Sequence, residues 1–588
     1  MAARRGAASG ERPGPRRAPA HGGPGPASTL SPRPAPHGGG NHAHAQAPAR
    51  RGARGPAGGG PASCTAHARP GCAGCHAGAR PRRRQRRTHP LGGKHRRFRC
   101  WIAAARALAA ARGVDTPAAA IARTREAAMT IAIALNRFGL GARPDETLSR
   151  DPKGFLLDQF GRYEALPPAW ATLPGSQAIA AGYIAERQEV RSTQGDAKQR
   201  ARIDLRKDGR DILRVAANAR AVSALTTPTP FVERLVHFWS NHFAISADKQ
   251  TVIPFAGAFE AEAIRPHVLG RFEDMLLAVE RHPAMQLFLD QAQSVGPGSA
   301  FARRATSRDP KKAPGLNENL AREIMELHTL GARTGYTQAD ITEFARALTG
   351  WSSVGLGRGG KVRAGAGDPG SFVFRPMLHE PGTRTIMGRS YAQQGEGQPL
   401  AILGELAAAH STADHIATKL ARHFVADEPP PALVARLSAA FRESSGDLPA
   451  VYRALVVAPE SWAPTLAKFK TPWEWLISSM RGLGMSDANE IQVAGVMQQL
   501  GQPVWRPGSP AGFDDVAASW AAPDALVRRV EMAQRLTVRA TGAIDPRELA
   551  PKLLPGNLAP ATAQAIARAE SLPTGLALLL VSPEFLRR

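Results

Sequence analysis

From Met129 to the end of the chain, apolar residues recur at three- and four-residue spacings, a period that predicts helix after helix. Phe231, Leu235, Phe238 and His242 fall at i, i+4, i+7 and i+11, and Leu320, Ile324, Leu327 and Gly331 repeat the pattern. Thr337-Gln-Ala-Asp340 has the form of a capping box and starts a helix that runs to about Leu348, before Thr349-Gly350. Further helical patterns cover 400–409, 412–424, 431–442, 448–457, 472–483 and 523–536, and the dense, two-signed charge of 186–214 predicts a solvated helix. One stretch departs from this period. The short apolar runs 372–374 and 385–387 flank His379-Glu-Pro-Gly382, which predicts a small hairpin. The expectation is an all-α fold, a large multi-helix assembly with at most a small β-hairpin near 372–388. The roughly 460 residues from Met129 exceed the usual single core, so two subdomains divided near 353–371 are an alternative to one helical domain over 129–588.

Composition changes the picture only before Met129. Residues 1–128 hold 24 Lys+Arg and 3 Asp+Glu, leaving 76 − 24 = 52 basic and 49 − 3 = 46 acidic residues for the remainder. The chain's charge of +27 therefore resides mostly in this segment, which also holds all four cysteines, one Phe and one Trp. Such an Arg/Ala/Gly/Pro-rich stretch buries too little apolar surface to order itself, so a disordered basic segment is expected. The expectation is also that the start was placed too early and that translation begins at Met129. A start there makes the protein cytoplasmic, with export as an open alternative through Arg96-Arg97-Phe98 before Trp101. Three other readings compete for the segment: a nucleic-acid-binding arm around Arg82–Arg87, haem attachment at Cys72-Ala-Gly-Cys75-His76, and the export signal. The folded part has no cysteine, no apolar run approaching the ~20 residues of a membrane span, and a near-balanced charge. No nucleic acid and no membrane are expected as its partners.

Candidate chemistry is sparse. Gly355-Leu-Gly-Arg-Gly-Gly360-Lys361 nearly matches the phosphate-cradling loops, but it lacks the strand before and the helix after, and Val362 stands where magnesium needs Ser or Thr. It reads as a flexible loop, as do 294–316 and 353–371 generally. The densest polar cluster is Asn317–Gly331, with Glu323, Glu326 and His328. At about 100° per residue, Glu323 and Glu326 lie about 140° and 160° from His328, so this helix alone does not assemble a metal site. Glu326 is expected to pair with Arg322 one turn back. His242 and His328 sit on apolar stripes, as hydrogen-bonded core residues or, with His379, as an acid–base or metal cluster. Their two helices are expected to pack together near Trp351, with Asn241, Asn317 and Asp340 as the nearest partners for the rings. His237 falls on the polar face four residues after Glu233, which predicts a surface pair. Trp473, Trp475, Trp505 and Trp520 read as core anchors. The catalytic candidates are thus His242, Glu323, Glu326, His328 and His379. No cofactor-binding motif or metal ligand set is assigned.

Several blocks resemble a bacterial family, domain of unknown function 1800. They are Ala134-Leu-Asn-Arg-Phe-Gly-Leu-Gly141, Phe238-Trp-Ser-Asn-His-Phe243, Asn317–Gly331, Gly335–Glu343, Ala347-Leu-Thr-Gly-Trp351, His379-Glu-Pro-Gly382, Ala417-Thr-Lys-Leu-Ala-Arg-His-Phe424 and Ser582–Arg588. The resemblance covers about 131–588. Where the family often has His-Asp and a nearby Lys, this chain has His379-Glu380 and Arg384. It implies a mostly helical protein of no established activity that travels with a second, sulfatase-like family, domain of unknown function 1501. The leading expectation is a non-enzymatic scaffold or accessory partner. The alternatives are a metal-assisted hydrolase or oxidoreductase using a His/Glu cluster, and nucleic-acid binding through the basic segment.

Overall fold

The structure, a computed structural model, describes residues 117–146, 150–309, 315–357, 367–488, 491–540 and 544–588. Residues 1–116, with the basic run and the four cysteines, lie outside the described residues. The helix Pro117–Ala132 passes through Met129 and continues as a π-helical turn, Ile133–Phe138.

Helix dominates, as the apolar period dictates. Pro230–His242, Gln338–Leu348, His410–Phe424, Pro431–Glu443, Leu448–Val457, Pro472–Gly482 and Pro523–Arg539 all fall where that period places them. Four of these begin on proline at the first helical position, where its missing N–H costs nothing. The Thr337/Asp340 capping box is complete. The charged stretch 186–214 falls on two helices, Ser176–Ser192 and Gly195–Thr226, broken at Thr193-Gln194. No helix among the described residues is long and apolar enough to cross a membrane.

Among the described residues, strand is confined to β1 (Trp351–Ser353), β2 (Phe372–Phe374), β3 (Arg384–Ile386) and β4 (Arg389–Tyr391). The strands around the Pro-Gly turn do not pair with each other. β2 runs antiparallel to β1, and β3 to β4. Met387 and Gly388 both take positive φ, 48° and 80°, which gives the tight two-residue turn that closes β3 on β4. His379–Gly382 becomes the connection between the two hairpins.

One hydrophobic core extends from Ile133 to Leu586 in sequence and draws on both sides of 353–371. Arginines are built into it. Buried Arg137 donates to the carbonyls of Ser461 (2.7 Å) and Thr465 (2.6 Å). Buried Arg481 donates to those of Gly141 (3.0 Å), Ala224 (3.2 Å) and Leu225 (3.1 Å). Such guanidiniums satisfy carbonyls that helix ends and turns leave unpaired. Gly141 is required where it stands: its φ is +102°, and a Cβ there would lie 2.6 Å from the Cβ of Ser478.

Candidate functional site

The Pro230–His242 helix buries its whole apolar stripe, and the side chain of Gln159 accepts from the Phe231 N–H at 2.8 Å to cap its start. The stripe ends on His242, whose Nε2 lies 3.1 Å from the carbonyl oxygen of His328. A carbonyl only accepts, so Nε2 carries the proton, and Nδ1 has no partner among the described residues. The rings of His242 and His328 are 6.4 Å apart, so the structure does bring this pair together. The nearby amides and Asp340 are not their partners. His328 Nδ1 meets Glu280 Oε1 at 2.7 Å, with both side chains at most 1% exposed. Asn241 bonds Phe513, Asn317 bonds Leu289, and Asp340 serves its capping box.

The helix expected over 319–331 is α-helical only from Asn319 to Glu323; Ile324–His328 is a π turn. Its signature is Thr329 N–H donating to Ile324 O at 2.9 Å, five residues back. The wider turn changes the angular reckoning. Burial raises the half-buried Glu323 carboxyl, which lies within electrostatic reach of His328. Arg322 meets Glu318 at 3.5 Å and Gln338 at 2.8 Å instead of Glu326. His379 stands apart on the β2–β3 connection, its Nδ1 2.9 Å from Thr349 O and its ring on Phe374. Glu380 accepts from Gly298 N–H at 2.6 Å, and Arg384 meets Glu343 at 3.0 Å. Both side chains are committed to holding loops together. Among the described residues no three His, Cys, Asp or Glu side chains are grouped to hold a metal ion.

A cavity of about 250 Å³ lies beside His242. Its walls include His237 and His242 from one helix, Lys419, Arg422 and His423 from the helix His410–Phe424, and Trp473, Trp505 and Asp515. His237 is not a surface residue. Its side chain is 9% exposed and that of Glu233 1%, because a second layer of buried charge covers this face. There Arg265 bonds Glu233 and Glu260, and Arg220 meets Glu260 at 2.8 Å while lying over Trp473. Trp473 Nε1 donates to His237 Nδ1 at 3.2 Å. Burial and the Arg220, Arg265 and Arg234 charges hold the His237 ring well below the usual imidazole value.

His423 is arranged differently. Its Nδ1 is 2.6 Å from Asp515 Oδ2, and Asp515 Oδ1 is 3.2 Å from Lys468. Burial pushes the Asp515 carboxyl up, but His423, Lys468 and Arg588 together override it and hold it well below the usual carboxylate value. Burial also lowers His423, and outweighs the pull of Asp515. The resting pair is thus a carboxylate and a neutral imidazole with its proton on Nδ1. Nε2 is buried and has no partner among the described residues, on a ring that lines the cavity. That is the form of a general base. Phe238 separates it from His242, with ring distances of 5.4 Å and 6.3 Å.

The His410–Phe424 helix sets this wall by its spacing. Ala413, Ile416, Ala417, Leu420, Ala421 and Phe424 are buried as its apolar stripe. His415, Lys419, Arg422 and His423 fall at i, i+4, i+7 and i+8 on the other face. In the sequence this polar period is overshadowed by the apolar period of the same helix. Asp515, 92 residues on, carries no local signal at all.

The family described as "Protein of unknown function (DUF1800)" matches residues 133–587. No curated protein and no solved structure matches the chain.

Proposed function

Because the chain belongs to the DUF1800 family, described only as a protein of unknown function, we propose its role from its own cavity. The protein is an enzyme that takes a proton from, or activates water against, a small polar molecule held between the Pro230–His242 and His410–Phe424 helices. His423 is the base and Asp515 orients it. The observation that supports this is the 2.6 Å Asp515–His423 pair, whose second nitrogen has no partner on a cavity wall. Covalent catalysis by a wall hydroxyl is disfavoured, because Ser240 donates to Glu260 and Thr471 caps its helix.

Incubating the full chain with a small-molecule extract of its host tests the reading. The wild type is expected to change the amount of at least one compound, and H423Q to do so about 10²–10⁴-fold more slowly. Identical extracts after wild-type and H423Q treatment overturn it. An accessory role beside a partner of the domain of unknown function 1501 family predicts the converse: H423Q fully restores a deletion strain, and the partner co-purifies.

A further inference from the structure

The cations on the cavity wall fall into two kinds. Arg220 is neutralised by Glu260 and Arg234 by Glu474. Lys419 and Arg422 have no ion pair among the described residues. Arg422 donates its Nε to the carbonyl of Asp427 at 3.1 Å, which leaves its charge uncompensated. Lys419 makes no hydrogen bond among the described residues.

The wall's carboxylates compensate them only in part. Glu474 is held by Arg234 and Arg588; Asp515 is within electrostatic reach of Lys419 but is bonded to His423 and Lys468; and Asp514 is exposed and accepts from the Ser519 hydroxyl at 2.8 Å. Two half-buried cations three residues apart on one helix, both lining one cavity, are costly without a counter-ion. The surrounding groups do not add a third cation: burial keeps His242, His415 and His423 below the usual imidazole value.

We propose that the cavity binds a small oxyanion (a carboxylate, phosphate or sulfate group) on Lys419 and Arg422. This rests on the reading of His423 as the base and names the substrate class for it. Lys419 and His423 are four residues apart, which puts their Cβ atoms about 5–6 Å from each other on one helix face. The charged group is thus anchored about one turn from Nε2, and the atom to be deprotonated or attacked lies within a few bonds of the anion. The guanidinium supplies two-pronged recognition and the ammonium a point charge. A cavity of about 250 Å³ suits such a molecule and not a polymer.

Titration calorimetry of the full chain with inorganic phosphate, sulfate and acetate, each alone, tests the proposal. At least one is expected to bind, with K419Q and R422Q each about tenfold weaker and K419R close to wild type. If K419Q does not fold, R422Q decides. No binding of any of the three to the wild type, or equal binding by wild type and both Gln variants, overturns it. The two readings fail separately. Anion binding lost in K419Q beside unaltered turnover in H423Q removes the base alone. Turnover lost in H423Q with K419Q and R422Q both binding like wild type removes the anion site alone.

Discussion

Two short histidine–carboxylate pairs among the described residues have nearly the same geometry but stand in different surroundings. His328–Glu280 closes at 2.7 Å and His423–Asp515 at 2.6 Å. The first is at most 1% exposed and lines no part of the cavity, and the carbonyl of its histidine is taken by His242. The second is 12% and 22% exposed, and its outer nitrogen is unpaired on the cavity wall. A short imidazole–carboxylate bond is therefore no mark of chemistry by itself. What distinguishes the second pair is the room beside its outer nitrogen, on which the proposed chemistry rests.

The sharpest way to break this comparison is to remove each histidine and read two quantities. H423Q is expected to lower turnover by about 10²–10⁴-fold while costing about 1–2 kcal/mol of stability, since Lys468 still compensates Asp515. H328A is expected to do the reverse. It strands Glu280, whose Oε2 already lacks a partner, in a dry core, at a cost of about 3–5 kcal/mol in denaturant unfolding. H328Q keeps some hydrogen bonding and falls between. If H328A is as stable as wild type, or H423Q is the more destabilised, the assignment of roles is inverted.

The pH dependence of stability sharpens the same contrast. Burial holds His415 at about 4 against 6.5, Lys470 at about 7 and Lys419 at about 8 against 10.5. Between each pair of values the unfolded chain binds more protons than the folded one, so stability rises with pH. His237, His242 and His423 act in the same sense below 6.5. Burial raises the Tyr163 and Tyr452 hydroxyls, which reverses the sign above 10. The melting temperature is expected to climb from about pH 5 to about pH 10, where the tyrosines begin to oppose the rise. A flat or falling curve across the neutral range contradicts the lowered values that burial gives these groups. The smallest effect is expected at Gly141. G141A brings a Cβ against Ser478 at positive φ and costs about 1–3 kcal/mol, without altering anion binding beyond that loss.

The helices were legible because burial imposes a period on one face. The stripe Phe231, Leu235, Phe238 and His242 and the Thr337/Asp340 cap are written in neighbouring residues. So was the His242–His328 meeting, since each helix had one stripe to bury. The π turn was not legible: it adds one residue to a turn without changing the apolar spacing enough to show. The hairpin partners were missed because Met387-Gly388 lacks the usual Asn-Gly or Asp-Gly signal while Pro381-Gly382 looked like a turn. His237 looked exposed because its neighbour Glu233 is charged, yet Arg265 and Glu260 bury that charge from 27 or more residues away in sequence. The cavity needed Asp515 beside His423, a pairing that only the fold makes.

The bond from Arg481 to the Gly141 carbonyl spans 340 residues, and that from Asn136 to Leu553 spans 417. Such closures demand large losses of chain entropy before any return, so they form late and make folding slow. Helical proteins usually escape this by having mostly local contacts; here pairings hundreds of residues apart also close the core. A ribosome must release nearly the whole chain before Arg481 can find Gly141. Until Phe424 and Tyr452 have emerged, part of the Phe231–Phe243 face is uncovered, and the nascent protein is expected to depend on chaperones for longer than its helix content alone predicts.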